Sequence, residues 1–206
     1  MKVKRRRTQK ERREKTIAAL VDATIESLLA VGYTRTTVKE VCSRAGLSHG
    51  ALFRFFPTVL DLVVAAGEEV ARRQIEGFQQ NFASAAGEDP FAAALRLLRE
   101  ACRSETNTVF YELLVAARTD AKLRRALTPA MTRYYDAIRA AARSIPGTEA
   151  FGPELLEVLL FSAIHLFDGE TLARVVRKDP EMEERRMQLA LMALKGAQSF
   201  AGKPTA

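Results

Sequence analysis

Residues 36–56, TTVKEVCSRAGLSHGALFRFF, decide how this chain folds. Val38, Val41, Cys42 and Ala45 recur at the three- and four-residue steps of one helix face, and Gly46 ends that face as a glycine just past a helix C-terminus does. Thr37 and Glu40 have the Thr-x-x-Glu spacing of a capping box, which opens the first helix. Leu47 then plugs a core, and Ser48 can cap a second helix carrying Ala51, Leu52, Phe55 and Phe56. Helices of one or two turns lose more to chain ordering than their own hydrogen bonds return, so a third helix must stand behind them. Two short helices joined by a tight turn in this way form a helix-turn-helix, whose second helix enters the major groove of DNA.

The third helix lies immediately upstream. Ile17, Leu20, Val21, Thr24, Leu28 and Val31 repeat at helical steps from about Thr16 to Val31, and Gly32 stops the pattern before a short connection, Tyr33 to Arg35. Residues 1–15, MKVKRRRTQKERREK, have no apolar period and read as a basic arm. Such an arm, with Arg5, Arg6 and Arg7 as its contact residues, can lie along phosphates or in the minor groove; the alternative is a solvated tail.

Charge supports the same division of labour. Residues 1–60 hold 13 Lys and Arg against 5 Asp and Glu, whereas the remaining residues hold 19 against 20. The positive excess therefore accompanies the two short helices, as in a DNA-binding module attached to a neutral domain. A basic tail kept for solubility is the plainer alternative, but it would not require a helix-turn-helix beside it. With 48% hydrophobic residues the chain can build a real core. Cys42 and Cys102 show neither metal-ligand spacing nor a disulfide framework, which suits a reducing, cytoplasmic setting. No apolar signal core follows the basic start, and no run of 18 apolar residues predicts a membrane span.

The run GYTRTTVKEVCSRAGLSHGALFRFFPTVLDLV (32–63) resembles the DNA-binding signature of the TetR-type transcriptional regulators. Gly32-Tyr33, Thr36-Thr37, Ala45-Gly46, Ser48, Gly50, Leu52 and Phe56 fall where that pattern has them, and the correspondence runs over about residues 16–65. ELLVAARTDAKLRRAL (112–127) and LFDGETLARVV (166–176) look like further family segments. The resemblance implies an all-α homodimer with a three-helix DNA-binding head, residues 1–58, and a helical ligand-binding and dimerisation body, residues 59–206. It also implies a small-molecule effector that loosens the grip on a palindromic operator. Three positions depart from the family, which often has an aromatic hydroxyl at Phe53, a His or Tyr at Phe55 and a Lys at Val59. All three residues are apolar here, so the usual phosphate clamp gives way to the basic arm and Arg54.

The expected DNA contacts can be named. Ser48 either caps its helix or also donates to phosphate; Gly50 lets backbone approach the duplex; Ala51 meets a thymine methyl or acts as a spacer. His49 stands where base edges and phosphates lie, and Arg54 reaches phosphate or guanine. Thr36, Thr37 and Lys39 stand at the start of the preceding helix, whose backbone N–H groups attract phosphate.

Beyond the head, Pro57 to about Phe82 predicts a long helix with two displaced stripes, Val59, Val63, Ala66, Val70 and then Ala71, Ile75, Phe78, Phe82. A helix that changes its buried face midway can serve two cores and connect them. Asp89 and Pro90 open a helix ending near Arg103; others follow from Thr106 to Arg118, to about Ser144 with a kink at Pro129, from Pro153 to about Arg177, and from Pro180 to about Phe200. The segment LLEVLLFSAIHLF (155–167) is apolar nearly all round and needs more neighbours than one small body supplies. Pairing the last two long helices with a second copy would provide them.

No enzyme signature appears: no Gly-x-Ser-x-Gly elbow, phosphate-binding glycine loop or His-Glu-x-x-His pair occurs, and the only histidines are His49 and His165. No cofactor or metal is expected. Phe78, Phe82, Phe110, Tyr111, Leu114, Phe161 and His165 are the candidates to line an apolar effector cavity between helices, each weighed against a plain core or interface role. The rival reading is an architectural DNA-binding protein without an effector.

Overall fold

A computed structural model describes residues 8–201. Within them the chain runs α1 (Gln9–Val31), α2 (Val38–Ala45), α3 (His49–Phe53), α4 (Val59–Ser84), α5 (Pro90–Cys102), α6 (Asn107–Ala117), α7 (Ala121–Arg143), α8 (Pro153–Arg174) and α9 (Pro180–Ala201). Short 3-10 turns occupy Tyr33–Arg35 and Thr148–Ala150, and no strand occurs among the described residues. The all-α class and the helix-turn-helix order are as expected. Packing divides the chain into two compact units: the described residues up to Ala71 with Thr108–Thr132, and Arg72–Asn107 with the described residues from Arg133 onward.

In the first unit α1 packs on α2 through a core that includes Leu20, Val21, Leu28, Val41 and Cys42. The first stripe of α4 is buried at Val63, Ala66 and Val70. Gly67 brings α4 close to α6 and α7, where Leu113 and Leu127 carbons lie 3.5 and 3.8 Å from the place a Cβ would take. One boundary differs from the sequence reading. Residues 9–15 are not an arm but the first turns of α1, because Thr8 and Glu11 form a reciprocal capping box: Thr8 N donates to the Glu11 carboxylate at 2.8 Å, and Glu11 N to Thr8 Oγ1 at 3.2 Å. These turns bury no apolar residue, so periodicity alone cannot find them. Arg5, Arg6 and Arg7 lie outside the described residues.

The caps at α3 and α5 behave as the sequence predicts: Ser48 Oγ accepts from Ala51 N at 3.2 Å and Asp89 Oδ1 from Ala92 N at 2.9 Å. Only half of the Thr37–Glu40 box forms. Thr37 Oγ1 accepts from Glu40 N, but the Glu40 carboxylate turns one helical turn on to Arg44, at 2.7 Å. Pro129 sits inside α7 without ending it.

In the second unit α5 packs on α8 and α9. One cluster joins Leu95, Cys102, Ala163, Phe167 and Met187; another joins Phe91, Ala94, Ile145 and Phe151, with Phe78 and Phe82 against it. Beside the first cluster, the buried carboxylates of Glu170 and Glu183 meet the guanidinium groups of Arg103, Arg174 and Arg186. Within one chain α8 buries only one face, through Ala163, Ile164 and Phe167. Its other side leaves Leu155, Val158 and Leu172 exposed, and α9 likewise exposes Met182, Leu189, Met192 and Phe200.

Candidate nucleic-acid interface

The turn between α2 and α3 is set by Gly46. Its left-handed backbone, φ 63°, suits a residue without a Cβ, and Leu47 N closes the turn on the Cys42 carbonyl at 3.1 Å. The chain then re-enters helix at Ser48. In α3 Leu52 is fully buried and Ala51 half-buried, while His49, Gly50 and Phe53 are exposed, as is Arg54 just after it. A single turn of helix is thus held by one leucine and presents its remaining surface outward. A Cβ at Gly50 would find only Ser48 Oγ, 4.0 Å away, so this stretch of backbone is open to close approach.

Arg54 has no carboxylate partner among the described residues, and its guanidinium stands 5.9 Å from the Phe55 ring centroid, within reach of a cation–π contact. Thr37, Lys39 and Ser48 are exposed beside this surface. Thr36 differs. Its side chain is buried, its hydroxyl donates to the Gly32 carbonyl at 2.9 Å, and it stands 3.0 Å from Ser27 Oγ. That hydroxyl holds the connection between α1 and α2, so the side chain is engaged within the head. The positions with unusual chemistry also have distinct environments: Phe53 is 49% exposed, whereas Phe55 and Val59 are half-buried.

Sequence reasoning missed the attachment of this head within its unit. Tyr33 N donates to Glu112 Oε1 of α6 at 2.6 Å, and Tyr33 Oη donates to Asp120 Oδ2 at 2.9 Å. Gly32 allows this approach, since a Cβ there would come within 2.7 Å of Glu112 Oε1. No local signal links residues so far apart in sequence. Backbone donation from Leu123, then the Tyr33 hydroxyl, holds the Asp120 carboxyl below the usual carboxylate range. Burial, followed by the bond to Asp120 and its charge, pushes the Tyr33 phenol from 10.0 up to about 12.

A phenol raised on folding stabilises the native state fully below its unfolded value and loses that contribution as pH rises through the folded one. Wild-type protein is therefore expected to lose more stability than Tyr33→Phe between pH 9 and 12, by about 1 kcal/mol once solvent screening of this partly exposed group is allowed for. Urea midpoints of the two proteins across that range measure the difference; parallel curves would contradict the assignment.

The candidate effector-cavity residues fall in both units. Phe110 is buried, Tyr111 half-buried and Leu114 46% exposed in the first. In the second, Phe78 and Phe82 stack at 5.8 Å within the Phe91–Phe151 cluster. Phe161 meets Tyr135 edge-on at 5.5 Å, and His165 is exposed with its ring 6.1 Å from that of Phe161. No group of three His, Cys, Asp or Glu that could hold a metal ion occurs among the described residues, and no helix among them is long and apolar enough to cross a membrane.

Against known proteins, residues 20–66 match the sequence pattern of "Bacterial regulatory proteins, tetR family". The chain is 42% identical over 184 residues to the "Uncharacterized HTH-type transcriptional regulator Rv2912c" of Mycobacterium tuberculosis, spanning 89% of this chain and 94% of that protein. It is 26% identical over 184 residues to the HTH-type transcriptional regulator CymR of Pseudomonas putida, spanning 88% and 90%. Among solved structures, the multidrug binding protein EbrR complexed with ethidium has the same fold, with a TM-score of 0.63 and 22% identity over 88% of this chain and 98% of that one.

Proposed function

Since the chain belongs to the tetR family of bacterial regulatory proteins, which makes it a DNA-binding regulator of transcription, we propose that it acts as a ligand-responsive repressor. Two copies bind a palindromic operator, and a small-molecule effector releases them. The observation that carries this reading is the outward face of α3, where Gly50 leaves backbone open and His49 and Arg54 stand exposed around one buried leucine. His49, Gly50, Ala51 and Arg54 meet the major groove, while Thr37, Lys39 and Ser48 contact phosphate. Arg5, Arg6 and Arg7 add salt-dependent affinity.

The exposed apolar residues of α8 and α9 support dimerisation, since a second copy would cover Val158, Leu172, Leu189 and Met192. Residues 1–58 then serve DNA, and residues 59–206 serve effector binding and dimerisation in the cytoplasm. α4 is one continuous helix with residues in both compact units, so it is the covalent route by which effector binding reaches the head. Ligand binding in the related fold of EbrR lends support to an effector, and the aromatic residues Phe78, Phe82 and Phe161 of the second unit support an apolar one.

Gel shifts and sedimentation of the full chain on a palindrome from its gene's own upstream region test this. Two copies per duplex are expected, with affinity falling steeply as salt rises. His49→Ala/Arg54→Ala should weaken binding at least about a hundredfold through lost base and phosphate contacts, and deletion of residues 1–7 should lower the salt slope. Equal affinity for scrambled duplex would instead favour an architectural protein.

A further inference from the structure

The first unit contains a cavity of about 820 Å³ that the operator surface does not use. Its walls come from three places: the turn after α1 (Tyr33, Thr34, Thr36), the first turns of α4 (Val59, Leu60, Val63), and the junction of α6 with α7 (Ala116 to Arg125). The volume is within the range of small-molecule sites.

The lining is divided by chemistry. Val59, Leu60, Val63 and Ala116 are its apolar lining. Its cations are Lys122 and Arg125, both exposed; the charge of Lys122 acts on the Asp120 carboxylate, and Arg125 has no ion pair among the described residues. Asp120 is the one carboxylate lining the cavity, and its oxygens are already engaged. Oδ1 accepts from Lys122 N and Leu123 N, both at 2.9 Å, and Oδ2 accepts from the Tyr33 hydroxyl at 2.9 Å. Two cations against one satisfied carboxylate leave the polar wall net positive. A cation would have to displace existing donors to reach Asp120, whereas an anion finds two exposed cations against a single engaged carboxylate, together with apolar lining.

We propose that this cavity binds a small amphipathic anion, a carboxylate with an apolar tail, its head on Lys122 and Arg125 and its tail against Val59, Leu60 and Val63. The cavity lining includes none of the residues named as effector-cavity candidates, and the proposal does not depend on operator binding. Its occupant would share a wall with the Tyr33–Thr36 turn that leads into α2.

Calorimetric titration of the full chain with decanoate, and with decylammonium as the cation of matched tail, tests the proposal. Decanoate should bind at least about tenfold more tightly than decylammonium, and Lys122→Ala/Arg125→Ala should abolish that preference by weakening decanoate at least about tenfold. Thr119→Trp, which places bulk on an exposed lining position, should also weaken it. In the wild type, methyl resonances of Val59, Leu60 and Val63 should shift on adding decanoate. Absence of decanoate binding, a preference for decylammonium, or binding unchanged in both variants with those methyls unmoved would each overturn the site. None of these outcomes bears on the gel-shift result, so the two readings fail separately.

Discussion

Replacing Glu183 with glutamine should lower the unfolding free energy by about 3 kcal/mol, because it leaves guanidinium charge without its counter-charge in a largely dry setting. The Glu183 side chain is only 6% exposed, and its Oε2 accepts from Arg103 Nη2 at 3.0 Å and pairs with Arg174. Its other oxygen accepts from Asp179 N at 3.3 Å. Arg103 also pairs with Glu170, which is 2% exposed, and Arg186 reaches Glu170 from α9 at 3.5 Å. Arg103 Nε is buried without an acceptor, and with Glu183 neutral only Glu170 remains to balance Arg103, Arg174 and Arg186. Glutamine keeps the shape and one acceptor but not the charge, while the partly exposed arginines keep the loss near the lower end for a broken buried pair. Glu181→Gln is the matched control, since its pair with Arg185 is exposed and should be worth less than about 0.5 kcal/mol. Urea unfolding of both variants decides; equal shifts would mean the buried network adds nothing beyond a surface pair.

Leu52→Ala should cost about 3 kcal/mol in unfolding stability and reduce operator affinity at least about a hundredfold. Leu52 is fully buried, and α3 spans only His49–Phe53. So short a helix has no stability of its own, and once its anchor is trimmed its ordered geometry must be re-formed on every encounter with DNA. Leu52→Met, which nearly conserves volume, should retain most affinity. Anisotropy titrations beside urea curves separate the two effects. Full affinity in a destabilised Leu52→Ala protein would show that α3 is held by something other than this side chain.

The head was legible because its signals are local. Gly46 and Ser48 each fix a helix end within a few residues, as Asp89 does in the second unit, and these caps stand where spacing predicts them. The extra turns of α1 were written just as locally, in Thr8 and Glu11, but a search led by apolar period passes over charged turns. Thr36 is ambiguous for another reason: a threonine beside a helix start suits phosphate contact or internal bonding equally, and the bonds of its hydroxyl to Ser27 and the Gly32 carbonyl emerge only in the fold. The Tyr33 contacts with Glu112 and Asp120, and the meeting of Glu170 with Glu183 around arginines, depend on chain distant in sequence. Sequence pattern marks such residues as polar and exposed by default, so pairing emerges only from the packed fold.

The proposed reading surface, built on five residues with a single inward anchor, divides two tasks that most helices combine. Changes at His49, Gly50 or Phe53, or at the adjoining Arg54, touch little that folding requires, since all four point away from the core. Target preference can therefore drift by substitutions that leave the scaffold intact, and an ancestor could acquire a new binding sequence without first acquiring spare stability.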